Sequence, residues 1–247
     1  MYWENVVVDA VEPGRLGRFW EAALGGRTVT DEIGIFETRV VVEGGPELDF
    51  CFQQVPAAPS EPVRLHLDLL GDERQAEVVD RLLGLGATHL DIGQHAGEGV
   101  PWVVLGDPEG NPFCVMEPRP AYTGTGPVAA LPLDSADPDR DADFWAWLTG
   151  WVDVDAVAPR SLRHPSLTGP LLELCPEPAP KGPFGTVKNR LHLDVRLEAG
   201  DDPDAVAAGI AERGGREVHH PEWGDLPWRF YLDPSGNELC VLPARAG

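Results

Sequence analysis

Imidazole, thiol, carboxylate and guanidinium groups recur in this chain at alternating positions of short apolar runs. Arg64-Leu65-His66-Leu67-Asp68 reads as a strand. Strands send successive side chains to opposite faces, so Leu65, Leu67 and Leu69 share one face while Arg64, His66 and Asp68 share the other. The same alternation puts Asp49, Cys51 and Gln53 opposite Phe50 and Phe52, and Cys114 and Met116 opposite Phe113 and Val115. A second set follows: Glu173 and Cys175, then Arg190, His192 and Asp194, then Glu238 and Cys240. A sheet face carrying Arg, His, Asp and Cys together is not an ordinary core. Thiolate and imidazole suit a soft tetrahedral ion such as zinc. A thiol activated by imidazole is a nucleophile. A polar cluster with inert buried cysteines can instead line a pocket for an organic molecule.

These groups need a scaffold, and the chain supplies it by duplication. Arg64 to Asp107 spans 43 positions, as does Arg190 to Asp233. Each copy ends in a turn, Asp107-Pro108-Glu109-Gly110-Asn111 or Asp233-Pro234-Ser235-Gly236-Asn237, that leads into a last strand. The Asp and Asn side chains are expected to cap local backbone. Strands are predicted at Trp3 to Ala10, Arg27 to Asp31, Ile35 to Glu43 and Glu47 to Gln53, with a helix from Pro13 to Leu24. The order then repeats: a strand at Arg64 to Leu69, a helix at Asp72 to Leu85, and strands at His89 to Asp91, Trp102 to Leu105 and Pro112 to Met116. In the second half, Asp137-Pro138 and Asp202-Pro203 are helix starts. Pro227-Trp228 matches Pro101-Trp102 at an offset of 126. Trp102 and Trp228 are candidates to line a pocket or fill a core. Trp145 belongs to the apolar stripe of its helix, and Trp147 lies off it, in reach of the interface between halves. His219 and His220 are adjacent and would point to opposite faces.

The four βαβββ quarters with the Asp-Pro-x-Gly-Asn turn resemble the vicinal oxygen chelate superfamily: glyoxalase I, fosfomycin-resistance enzymes, extradiol dioxygenases and bleomycin-binding proteins. The resemblance implies an α+β fold. It would have two tandem glyoxalase-like domains, each of two βαβββ modules forming a cupped mixed, mostly antiparallel sheet. The domains would be 1–118 (modules 1–53 and 63–117) and 127–243 (modules 128–175 and 188–243). In metal-dependent relatives, ligands come from the first and last strand of each module. Those positions here read Asn5, His66, Ala130 and His192, and Cys51, Cys114, Cys175 and Cys240, where relatives usually carry glutamate on the last strand. On this resemblance His66, Cys51 and Cys114 would meet in one cup.

Composition narrows the partners. Net charge is -22, with 41 acidic residues against 19 basic, which repels phosphate backbones and anionic lipid. The expected partner is a small molecule, cationic or aromatic, bound without nucleic acid or membrane by a monomer or homodimer. No signal segment or long apolar run is seen, and four scattered cysteines fit a reducing cytoplasm. The leading expectation is therefore a small-molecule binder of the glyoxalase/bleomycin-resistance type with no cofactor. The alternative is a metal-dependent lyase, isomerase or dioxygenase using a divalent ion such as zinc.

Overall fold

A computed structural model of the chain describes residues 1–57, 63–93, 99–179, 188–219 and 224–245. The first module holds β1 (Tyr2–Ala10), α1 (Pro13–Leu24), β2 (Arg27–Glu32), β3 (Ile35–Val41) and β4 (Glu47–Gln54). The second holds β5 (Asp68–Leu70), α2 (Gln75–Leu85), β6 (Thr88–His89), β7 (Val103–Gly106) and β8 (Pro112–Met116). The third holds β9 (Val128–Ser135), α3 (Pro138–Thr149), β10 (Val152–Val154), β11 (Arg160–Arg163) and β12 (Leu171–Pro176). The fourth holds β13 (Leu191–Arg196), α4 (Pro203–Glu212), β14 (Arg216–Val218), β15 (Arg229–Leu232) and β16 (Glu238–Leu242). The α+β architecture with four repeated modules is thus present. No helix among the described residues is long and apolar enough to cross a membrane.

The strand predicted from Arg64 is shorter than its sequence suggests. Leu65 makes a single bridge to Leu133, and the His66 amide reaches the Pro132 carbonyl at 3.3 Å. Pro132 returns no N–H, so the ladder breaks there and resumes only at Asp68. The helix predicted from Asp72 begins as a single 3-10 turn, with Asp72 at φ 51°, and becomes α-helical at Gln75.

The modules pair across the halves. One eight-stranded sheet runs β14-β15-β16-β13-β1-β4-β3-β2, joining modules four and one. The other runs β10-β11-β12-β9-β5-β8-β7-β6, joining modules three and two. At each centre two first strands lie antiparallel, β1 against β13 and β5 against β9, and each pairs in parallel with its own last strand. Each cup is therefore shared between the halves, which corrects the expectation of one cup per half.

The predicted alternation of faces holds. Leu65, Leu67, Leu69, Phe50, Phe52, Phe113 and Val115 join Phe19, Trp20, Phe144 and Trp145 in one continuous core between the sheets and the helices. Trp3 packs on Trp151 with ring centres 4.6 Å apart, adding a contact between first and second halves. Trp147 does not reach that interface. It lies on Gly209 of α4, where a Cβ would come within 2.5 Å of its ring, and under Arg213 at 4.2 Å, all within the second half.

Candidate functional site: two unequal cups

The turns act as expected. Asp107 Oδ1 accepts from the amides of Glu109 and Asn111 at 2.9 Å each, and its Oδ2 accepts from Asn111 Nδ2 at 2.8 Å and Trp20 Nε1 at 3.1 Å. Asp233 repeats this with Ser235, Asn237 and Trp145. What parity alone did not reveal is that the turns also capture the two arginines assigned to the cups. Arg64 Nε donates to Asn237 Oδ1 at 3.3 Å, and Arg190 Nη1 donates to Asn111 Oδ1 at 2.5 Å. Arg64 and Arg190 thus tie modules together. Asp49 lies at a rim, held by Arg39 Nε and Nη2 at 2.6 and 2.7 Å.

The cup of modules one and four is open. Asn5, Cys51, His192, Asp194, Trp228 and Cys240 line a cavity of about 550 Å³ together with Val7, Ile35, Glu37 and Phe230. At its floor His192 Nε2 stands 3.4 Å from Asp194 Oδ1 and 3.6 Å from Cys240 Sγ. Asn5 Nδ2 donates to Asp194 Oδ2 at 3.3 Å. His192 and Asp194 are 4% and 6% exposed, yet His192 Nδ1 and Asp194 Oδ1 have no hydrogen-bond partner. Buried polar atoms in that state cost free energy unless something else satisfies them.

The two cations lining this cavity are already engaged. Lys188 Nζ pairs with Asp9 Oδ2, and Arg196 Nε pairs with Glu4 Oε2 while its Nη1 donates to the Pro243 carbonyl. The lining carboxylates form no ion pair with a lysine or arginine among the described residues: Glu37 accepts from Thr30 Oγ1 at 2.5 Å, and Asp194 meets Asn5 and His192. The floor is therefore electronegative. Burial, followed by the charges of Glu37 and Asp194, pushes the Cys51 thiol well up; Cys240 is raised by burial and Asp194. Both side chains are held as thiols, which is the wrong form for a nucleophile.

The cup of modules two and three is filled. Tyr122, on a single 3-10 turn at Pro120–Tyr122 in the linker between halves, packs with Val104, Cys114, Met116, Ala130 and Leu171. Trp102 covers the same cluster. Arg119 lies over the rings of Trp102 and Tyr122 at 5.7 and 5.5 Å and donates to the Tyr122 hydroxyl at 3.3 Å. His66 Nε2 stands 3.4 Å from Asp68 Oδ1, next to Cys114. Burial raises Glu173 to about 7, assisted by the Asp68 charge. Burial also raises Cys114, and brings Cys175 to about 12.

The proposed trio of His66, Cys51 and Cys114 is not assembled: Cys51 belongs to the other sheet. Nor do the four cysteines share one register. Cys51, Cys114 and Cys240 stand opposite the equivalent residues Val7, Asp68 and Asp194, whereas Cys175 stands opposite Asp134, one row further on, and Glu173 takes the matching place opposite Pro132. What converges instead is His66, Asp68 and Cys114 in one cup and His192, Asp194 and Cys240 in the other, with each set of donor atoms within 4.8 Å. Each set comes from a single module. Its nitrogen, carboxylate oxygen and sulfur suit a thiophilic ion such as zinc, and not the harder ions that prefer all-oxygen sites.

Sequence reasoning missed Glu37, Lys188, Arg196 and Phe230 in the open cup, and Arg119 and Tyr122 in the filled one. Glu37 was detectable, since Phe36 and Val40 alternate with it along β3 and are buried. His220 lies outside the described residues.

A family model described as a glyoxalase-like domain matches residues 5–116 and again 130–242. No curated protein matches the chain. Among solved structures, glyoxalase I from Zea mays is 13% identical, covering 98% of this chain and 92% of that one with a TM-score of 0.65. Its V278E mutant is 14% identical at the same coverages, with a TM-score of 0.64. A provisionally assigned dioxygenase from Bacillus subtilis subsp. subtilis str. 168 is 17% identical, covering 100% and 86% with a TM-score of 0.60. At these identities the likeness is one of fold.

Proposed function

We propose, for a chain that belongs to the glyoxalase-like domain family through both of its halves, that the open cup binds a small organic molecule and sequesters or carries it. The observation that carries this reading is the contrast between the cups. One is packed with the chain's own side chains, and the other keeps about 550 Å³ lined by Val7, Ile35, Trp228 and Phe230. Apolar walls above a few buried polar groups are the usual make-up of a small-molecule pocket. The walls would take the ligand's body by hydrophobic burial, and Asn5, His192 and Asp194 would orient its polar end.

A second reading is favoured by the spacing of His192, Asp194 and Cys240: these residues would hold a divalent ion for lyase, isomerase or dioxygenase chemistry. Such an ion supplies Lewis acidity to a substrate oxygen. On that reading Asn5 and Glu37 would position the substrate from the opposite module.

Thermal unfolding of the metal-free full chain against a metabolite library tests the first reading. A ligand present at 100 times its Kd stabilises by about 2.7 kcal/mol, or roughly 5 °C or more for a chain of this size. The shift should vanish in Trp228→Ala combined with Phe230→Ala. If no compound shifts the transition, but zinc does so at stoichiometric concentration, the second reading replaces the first.

A further inference from the structure

The filled cup shows what the open one lacks. In it a guanidinium, Arg119, is stacked on two rings, Trp102 and Tyr122, beside the buried carboxylates of Asp68 and Glu173. The Arg119 charge acts favourably with Asp68 and draws Glu173 towards its ionised form. Arg119 Nε is itself paired with Glu117 Oε1 at 2.5 Å, so this cation on an aromatic body acts on the acidic floor of that cup by its charge, while Asp68 Oδ1 and Glu173 Oε1 have no hydrogen-bond partner among the described residues.

The duplication supplies the comparison. At the offset of 126, Asp68 corresponds to Asp194, Trp102 to Trp228, and Arg119 to Arg245. Arg245 does not repeat the part played by Arg119. It turns outward to Glu4, with Nη2 at 2.5 Å and Nε at 3.2 Å from Oε1, and its side chain is 58% exposed. Trp228 is left 37% exposed at the cavity with no cation over its ring among the described residues. Asp194 Oδ1, like Asp68 Oδ1 in the filled cup, is buried without a hydrogen-bond partner, and Lys188 is already taken by Asp9.

We infer that the open cup selects an organic cation, an ammonium or amidinium carried on an aromatic body, with the charged head at Asp194 and Glu37 and the ring against Trp228 and Phe230. This rests on the reading of the open cup as a binding site and specifies its ligand class. The head would donate to Asp194 Oδ1 and offset two carboxylates in a cavity with largely apolar walls. Charge-assisted hydrogen bonds and cation–π contact both favour it. An anionic head would meet the same carboxylates and be repelled.

The test uses the EDTA-treated full chain and five probes: 2-phenylethylammonium, benzamidinium, 2-phenylethanol, phenylacetate and zinc alone. Calorimetric titration should show the two cations binding with Kd of about 1 mM or tighter, and at least about tenfold more tightly than the alcohol, with phenylacetate silent. Asp194→Asn should weaken the cations about tenfold and leave the alcohol unchanged. Glu37→Gln should act in the same direction and guards against a folding defect in the first variant. If the alcohol or phenylacetate binds as well as the amines, the cation inference falls while the binding reading stands. If all four organic probes are silent, both fall. Zinc binding at stoichiometric concentration with silent amines overturns the inference and assigns the triad to a metal.

Discussion

Arg190 donates from Nη1 to Asn111 Oδ1 at 2.5 Å, and so ties the entrance of β13 in the fourth module to the turn that ends the second. Arg64 makes the mirrored connection to Asn237 at 3.3 Å. Each sheet joins modules from different halves, and these two clasps join the sheets to each other. Arg64 is buried, so removing its acceptor leaves a guanidinium short of a partner. Asn237→Ala should cost about 1–3 kcal/mol, read as a lower urea midpoint at unchanged slope. An unchanged midpoint would show that the clasp contributes nothing.

Tyr122 is 1% exposed and fills one cup. Tyr122→Ala removes a buried ring, and losses of this kind cost about 3–5 kcal/mol when the cavity stays empty. Combined with Arg119→Ala, the variant should also gain a second, weaker site for 2-phenylethylammonium, since the Asp68 floor then loses both its cover and the nearby guanidinium. Calorimetry would then resolve one more site in the double variant than in the parent chain.

Glu173 gives a pH signature. Its carboxyl is raised from an ordinary 4.5 to about 7 by burial and by Asp68. The native state therefore keeps a proton that the unfolded chain releases, and this contribution is present below pH 4.5 and is lost as pH rises through about 7. At about 1.4 kcal/mol per pKa step, the whole effect is on the order of 3 kcal/mol. Glu173→Gln should flatten the stability profile across that window and be the more stable form at about pH 8. Urea unfolding at several pH values measures both, and a profile parallel to the parent's would refute the assignment.

The four cysteines are free, and three are buried. With Cys175 raised to about 12, its thiolate fraction near pH 8 is on the order of 10⁻⁴. Ellman's reagent should find four thiols in denaturant and no fast-reacting thiol in the native protein, with Cys175 reacting first. A thiol that reacts at the rate of free cysteine would revive the nucleophile reading.

Much of this was legible in the sequence because it depends on local physics. Alternation placed Leu65, Leu67 and Phe113 inward and His66, Asp68 and Cys114 outward, and the Asp107 and Asp233 turns followed from residue type. Partner choice between modules was not legible. Four similar modules offer several pairings, and no local rule distinguishes β13 from β5 as the neighbour of β1. The one-row displacement of Cys175, opposite Asp134, is likewise a matter of register between β9 and β12. Tyr122 left a faint signal as a lone aromatic in a linker rich in proline and glycine, but its destination depends on which cup lies beneath it.

The exchange of modules also imposes an order of assembly on a chain that emerges from its N-terminus. The sheet of modules two and three is complete once residue 176 is available, whereas β1 lacks its central neighbour until residues 191–196 have been made. For most of synthesis the first strand to appear presents an unpaired edge, which is the feature most prone to mispairing with another chain. The open cup, the last part of the molecule to close, is consequently the part whose formation is most exposed to interruption during translation, and limited proteolysis of ribosome-arrested chains should find it protected only after β16 emerges.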